Sequence, residues 1–266
     1  MTFLIKNRKL DPGTALSPAL EAELRRHPGA AVLFSGGVDS SFLLAAAARV
    51  LGPGVTAITF TGPHTVSGEL AAAWALTRRL QVPHVVRVIN PLDLPEFRGN
   101  TRERCYACKR AVILQARRIA AARGLAVLWD GTNRDDLREF RPGFRALQEL
   151  GVASPLLAAG LDKQAIRTES RGLGLDGARP SQSCLATRFP YDTPLTREAL
   201  ARVGRGESWL LRRAFAQVRL RVRGERVRLE LPPQEWPAFL APGISGPYRA
   251  FIRSLGFADL TLDCPK

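Results

Sequence analysis

The chain has 266 residues, 45% hydrophobic and 24% charged, proportions that exclude wholesale disorder, a collagen-like repeat and a peptide-sized scaffold. Its 39 basic residues outnumber 24 acidic ones, giving +15 and a pI near 11.0, which favours polyanionic partners such as nucleotides, pyrophosphate or RNA without choosing among them. No run approaches the roughly 18 apolar residues of a membrane span, and the opening MTFLIKNRKL has no signal-peptide core, so a cytoplasmic protein without a membrane partner is expected.

In chain order, the apolar run AAVLF at 30–34 predicts a strand, SGGVDSS a glycine loop, and the alanine-rich FLLAAAARVL a helix. VTAITF at 55–60 and VVRVI at 85–89 read as further strands around an amphipathic helix at 68–80. A helix over 111–124 then leads to a strand AVLWD at 126–130. Alternating strands and helices predict an α/β fold with a doubly wound, mostly parallel sheet, whose ligands bind beyond the carboxyl ends of the strands. Both SGGVDSS and DGTNRDD fall there. After Tyr191 the pattern changes to a helix within 193–215, an alternating hairpin at 217–231 turning near Gly224, a helix at 247–255 and a last strand at 257–262. This predicts two domains, 1–192 and a smaller α+β domain at 193–266. The Gly-, Pro- and Ser-rich stretch 172–183 is expected to be a mobile active-site loop, because Cys184 follows it.

Ser35, Gly36, Gly37, Val38, Asp39 and Ser40 lie between a buried strand and a helix N-terminus, where unpaired N–H groups and the helix dipole favour an anion. A Walker A loop would place a lysine before its Ser or Thr. Asp39 stands there instead, so phosphate charge must be met by Mg²⁺ or by remote arginines. The motif SGGVDS resembles the PP-loop pyrophosphatases, which cleave ATP between the α- and β-phosphates to adenylate a substrate. That resemblance implies that the loop holds the pyrophosphate end of ATP, with Asp39 near the metal and Thr59 and Phe60 beside the nucleoside.

Asp130 to Asp136, with Gly131, Thr132 and Asp135 among them and Arg141-Pro142-Gly143 after them, gather carboxylates, an amide and arginines suited to Mg²⁺ and phosphate. Further on come LGVASPL and CLATRFPY. The ordered set SGGVDS, RCYACK, DGTNRDD with RPG, LGVASPL and CLATRFPY resembles the LarE family of ATP-dependent sulfur transferases, which make the nickel-pincer nucleotide of lactate racemase. The resemblance implies adenylation of a pyridinium dicarboxylate mononucleotide, followed by sulfur transfer to give a thiocarboxylate. It implies Arg221 and Arg223 at the small-molecule substrate and Glu207 as a catalytic carboxylate, and Arg188 joins the substrate set because guanidinium suits phosphate. The hairpin arginines read equally as a solvated face from periodicity alone. The family pattern leads one to expect a Gly-Tyr-Arg tail, which the sequence ending at Lys266 does not show.

Cys105 and Cys108 stand three apart at a helix start, where dipole and neighbouring arginines are expected to lower thiol pKa values. With Cys184 they offer three thiolates, one short of filling a tetrahedral site or a cubane. Zinc with His64 as fourth ligand, a Cys105–Cys108 redox disulfide and three unrelated thiols remain open. The family resemblance implies the type that carries a 4Fe-4S cluster on Cys105, Cys108 and Cys184, rather than the type in which the match to Cys184 gives up its own sulfur. Cys264 matches neither and is expected to be incidental. ATP, Mg²⁺ and the cluster are therefore the expected cofactors, and a homo-oligomer the expected assembly. The competing reading is a tRNA thiolation enzyme, which would share the glycine loop and cysteines and suit +15, although no separate RNA-binding module is visible.

Overall fold

The computed structural model describes residues 15–138, 141–177 and 182–263. In chain order its helices and strands are α1 (Pro18–Arg25), β1 (Ala30–Leu33), α2 (Val38–Leu51), β2 (Val55–Thr61), α3 (Glu69–Leu80), β3 (His84–Val88), α4 (Pro95–Arg98), α5 (Arg104–Ala121), β4 (Leu128–Trp129), α6 (Pro142–Glu149), α7 (Pro155–Ala158) and α8 (Lys163–Gly172). There follow α9 (Arg197–Leu211), β5 (Arg219–Arg223), β6 (Arg226–Glu230), α10 (Trp236–Leu240), α11 (Ser245–Ser254) and β7 (Asp259–Leu262). The described residues fall into two compact units. One draws on 15–61, 68–89, 105–138 and 141–177, the other on 62–67, 90–104 and 182–263. The sequence reading put its single domain change at 192/193, whereas this division takes two short earlier segments and the Cys184 turn into the second unit.

The first unit is built on a four-stranded sheet of order β3-β2-β1-β4, every neighbouring pair parallel. All of β1 is buried, because its side chains alternate between two cores. Ala30, Val32 and Phe34 join Leu20, Leu43 and Ile166 from α1, α2 and α8, while Ala31 and Leu33 join Ile113, Ala116 and Leu147 from α5 and α6. Helices on both faces make this the expected doubly wound α/β arrangement. β4 is shorter than its apolar run, pairing with β1 only through Leu128 and Trp129 and bridging to Ala153 on its other side. Because β2 lies on one flank of β1 and β4 on the other, the strand order reverses there, and the loops after β1 and β4 flank the switch point where such sheets bind ligands.

The second unit carries a three-stranded sheet of order β5-β6-β7, antiparallel in its first pair and parallel in its second. Gly224, at the first of two loop residues, has φ +60°, the positive angle that the first position of a tight II′ hairpin requires. The period-two pattern then sorts the hairpin. Leu220, Val222, Val227 and Leu229 are buried, and the other face presents Arg219, Arg221, Arg223, Arg226 and Arg228 with Glu230. A side chain at Gly206 on α9 would run into Leu220 and Ile252, which explains a glycine inside that helix.

The stretch 172–183 lies partly outside the described residues, at 178–181, and so does Cys264.

Candidate functional site

Gly36 takes φ +80°, turning the chain out of β1, and Gly37 caps α2. The first intrahelical bond comes from the Ser41 N–H to the Gly37 carbonyl at 2.9 Å, so the N–H groups of Val38, Asp39 and Ser40 are left to an outside acceptor. The Ser35 and Ser40 hydroxyls meet at 3.0 Å, and Ser35 Oγ accepts the Gly37 N–H at 3.3 Å, which shapes the loop around its own donors. From the loop after β4, Gly131 packs on the first turn of α2. A Cβ placed there would lie 3.0 Å from Ser40 N, 3.1 Å from Ser40 Cα and 3.2 Å from the Asp39 carbonyl carbon. The two loops thus meet backbone to backbone, and only glycine allows it.

Asp130 is buried and anchors the second loop. Its Oδ1 accepts the Thr132 N–H at 2.9 Å, the Thr132 hydroxyl and the Ser154 hydroxyl at 3.3 Å, and its Oδ2 meets Lys109 Nζ at 3.0 Å. Burial alone would raise its pKa, but the Lys109 ammonium and the Thr132 bonds outweigh it and hold the carboxyl below its usual range. Asp136 is also buried. It accepts the Asn133 N–H at 3.1 Å and lies 3.0 Å from Arg141 Nη2 and 3.6 Å from Lys163 Nζ. Asp135, expected at the nucleotide, accepts the Lys163 N–H at 2.9 Å and so holds the start of α8. Asp39 has its pKa raised, by burial first and then by Asp136, against the pull of Lys163, Arg141 and Arg167. The result is a pair of carboxylates within a ring of cations at a helix N-terminus, an arrangement for phosphate and a divalent cation together.

Sequence reasoning missed Lys109 and Lys163. The signal was present: only five of the 39 basic residues are lysines, and two of those five stand against the Asp130 and Asp136 carboxylates. In a chain that uses arginine nearly everywhere, a lysine marks a place that needs a compact ammonium.

Thr59, expected beside the nucleoside, is buried with its hydroxyl donated to the Phe34 carbonyl at 2.7 Å and bonded to His84 Nε2 at 2.7 Å. Phe60 packs half-buried on the second core cluster.

Cys105 and Cys108 are the second and fifth residues of α5, one exposed and one half-buried, and neither they nor Cys184 form a disulfide. Their spacing puts both sulfurs on one helix face. The expected lowering of thiol pKa is corrected for Cys108, where burial, then the nearby Cys105, push the thiol up to about 11. Tyr106 between them donates to Glu149 at 2.6 Å, with the Arg145 guanidinium 3.9 Å over its ring, tying this turn to α6. Among the described residues no three His, Cys, Asp or Glu side chains are grouped to hold a metal ion.

In the second unit Arg188 and Glu207, 1% and 0% exposed, form a two-pronged ion pair of 2.6 Å and 3.1 Å. Glu207 Oε1 also accepts the Leu220 N–H at 2.9 Å. Arg188 therefore spends its donors on protein groups. Arg221 bonds Glu230 through Nε at 2.9 Å and the Thr187 carbonyl through Nη1 at 2.8 Å, whereas Arg223 is exposed and faces Arg226 across the hairpin.

Residues 13–117 match the asparagine synthase family. The chain is 32% identical, over 92% of its length and 88% of the relative's, to the pyridinium-3,5-bisthiocarboxylic acid mononucleotide synthase of Lactiplantibacillus plantarum. The chain belongs to the LarE family. The chain is also 37% identical, over 88% of both chains, to an uncharacterised Synechocystis protein, and 28% identical, over 72% of both, to an uncharacterised protein of Methanocaldococcus jannaschii. The glycine loop lies within the asparagine synthase match, and the LarE-family match extends over most of the chain.

Proposed function

We propose that the chain is an AMP-forming, ATP-dependent sulfur transferase of nickel-pincer cofactor synthesis. A carboxylate oxygen of a pyridinium dicarboxylate mononucleotide attacks the α-phosphorus of ATP, pyrophosphate leaves, and a sulfide nucleophile then displaces AMP from the acyl adenylate to give the thiocarboxylate. The observation that carries this reading is the junction of a lysine-free glycine loop with the Gly131 loop at the switch point of a parallel sheet, in a chain of the LarE family.

In this reading residues 1–192 serve ATP and 193–266 the substrate. The free N–H groups of the first turn of α2, with the Ser35 and Ser40 hydroxyls, bind the leaving pyrophosphate, and Lys109, Lys163 and Arg141 balance its charge. The mutual repulsion of Asp39 and Asp136 is what a divalent cation relieves, so this side of the site fits Mg²⁺, which would screen the phosphates. Arg221 and Arg223 take the mononucleotide phosphate, Arg223 from an exposed position at the end of β5.

In this reading Cys105, Cys108 and Cys184 would hold a 4Fe-4S cluster, the first two through the spacing that puts their thiols on one face of α5. Bound, the cluster supplies a corner that accepts sulfide. Iron and acid-labile sulfide measured in anaerobically prepared protein test that assignment separately.

The functional reading is tested by exchange of labelled pyrophosphate into ATP. Exchange that requires the mononucleotide supports it, and release of ADP in place of AMP contradicts it. A tRNA substrate instead of a mononucleotide would reveal itself in a steep loss of binding with salt.

A further inference from the structure

The second unit holds the peptide of Cys184 on both sides. Its carbonyl accepts the Thr187 N–H at 2.9 Å and the Thr187 hydroxyl at 2.8 Å, and the next N–H, of Leu185, donates to the His64 carbonyl at 2.9 Å. The residue before it is held as well, since Ser183 Oγ accepts from Arg188 Nη1 at 2.6 Å. The same Nη1 reaches Thr187 Oγ1 at 2.8 Å. As the Thr187 hydroxyl donates its one proton to the Cys184 carbonyl, it must accept from Arg188, so the guanidinium polarises that hydroxyl and strengthens its bond to the cysteine peptide. Behind Arg188 stands Glu207, which fixes the guanidinium plane with two bonds and is itself tied to β5 through Leu220. Arg221 clamps the Thr187 carbonyl from the same strand.

We propose that Thr187 is a positioning residue: it couples the buried Arg188–Glu207 pair to the peptide of Cys184 and thereby aims the thiol, while Arg188 and Glu207 act through it and not on the substrate. A buried ion pair is weak evidence for a gain in stability, because the desolvation of both charges offsets their attraction. What this pair does supply is direction. Guanidinium and carboxylate lock one another in a plane, and four of the five guanidinium N–H groups are then used on fixed acceptors. Ser183 and Thr187 are the acceptors that flank Cys184.

The proposal rests on the sulfur-transfer reading for its consequence in turnover, but its structural claim is tested without substrate. The experiment compares the wild type, Thr187→Val and Thr187→Ser, each carrying Cys105→Ala and Cys108→Ala for the thiol measurement only. Alkylation of Cys184 by iodoacetamide at one fixed pH is followed by peptide mass spectrometry, with the same variant unfolded in urea as the reference. Valine keeps the shape of threonine and deletes the hydroxyl. The expected result is a several-fold faster alkylation of Cys184, relative to its own unfolded chain, in Thr187→Val, with the wild-type rate restored in Thr187→Ser.

In the chain retaining all its cysteines, Thr187→Val should lower the rate of thiocarboxylate formation about tenfold or more, the range expected when a reacting group is misaimed by a fraction of an ångström, while pyrophosphate exchange stays within about twofold of wild type. Unchanged alkylation in Thr187→Val, or failure of serine to restore it, overturns the proposal. So does an equal loss of exchange and transfer, which would mark a folding defect. If the wild-type chain exchanges pyrophosphate but forms no thiocarboxylate, the functional reading fails while the alkylation rates still decide the role of Thr187.

Discussion

Substituting Gly131 by alanine inserts a methyl group where the loop after β4 meets the first turn of α2. Its carbon would lie 3.0 Å from Ser40 N, 3.1 Å from Ser40 Cα and 3.2 Å from the Asp39 carbonyl carbon, all backbone atoms that no rotamer change can clear. Ordinary contact needs several tenths of an ångström more, so the loops must part by about that much, at an overpacking cost of about 1–3 kcal/mol. Gly131 has no positive φ, so backbone conformation adds nothing to the cost and the effect is purely one of contact. A loss of that size should lower the melting temperature by a few degrees, at about 2–4 °C per kcal/mol for a chain of this size. The same displacement moves the pyrophosphate donors of α2 relative to Asp130 and Lys109. Because misplacement by about 1 Å can cost a hundredfold, pyrophosphate exchange should fall by about ten- to a hundredfold. The assay is exchange at saturating ATP together with thermal unfolding of the same preparation. Wild-type exchange at wild-type stability in Gly131→Ala would refute the claim that the two loops form one phosphate site.

Asp39→Asn should abolish exchange yet raise the melting temperature of the ligand-free protein at pH 7, since a carboxylate whose pKa burial has raised destabilises the fold above that pKa; an unchanged or lower melting temperature would contradict this. Asp130 behaves oppositely: its folded pKa is depressed, so its contribution is present above the unfolded carboxylate value, about 4, and is lost as pH falls through the folded value. Acid unfolding followed by circular dichroism should therefore begin at higher pH in Lys109→Met, which lacks the partner that holds Asp130 ionised. Arg223→Ala should weaken binding of the mononucleotide and leave ATP affinity unchanged in calorimetric titrations, because Arg223 is exposed on the hairpin and the fold does not depend on its burial. Glu207→Gln should cost about 3–5 kcal/mol in chemical denaturation, as it strands a buried guanidinium.

The strand-end loops were legible in the sequence because the physics that makes them is local. A buried apolar run, glycines and a helix start follow one another within the thirteen residues 30–42, and the same order of strand then loop recurs at Asp130. Arg221 and Arg223 were legible as one face of a hairpin for the same reason, period two being visible in five residues. What the sequence hid was pairing at a distance. Nothing local says that Arg188 meets Glu207 across 19 positions, or that Thr59, within β2, turns its hydroxyl to Phe34 and His84 inside the sheet. The short β4 was hidden too, because the apolar run at 126–130 is continuous while only Leu128 and Trp129 find a partner in β1. The rise in the Cys108 pKa depends on burial first and on Cys105 second, and dipole and arginine counting from sequence omits both.

The central claim, that ATP is spent to AMP in exchanging a carboxylate oxygen for sulfur, is tested most directly by mass analysis of the products from anaerobically prepared protein given ATP, Mg²⁺, sulfide and the pyridinium dicarboxylate mononucleotide. The account predicts AMP, pyrophosphate and a mononucleotide heavier by the difference between one sulfur and one oxygen, in equal amounts. AMP and pyrophosphate formed with the mononucleotide recovered at its original mass, or ADP as the nucleotide product, would contradict it.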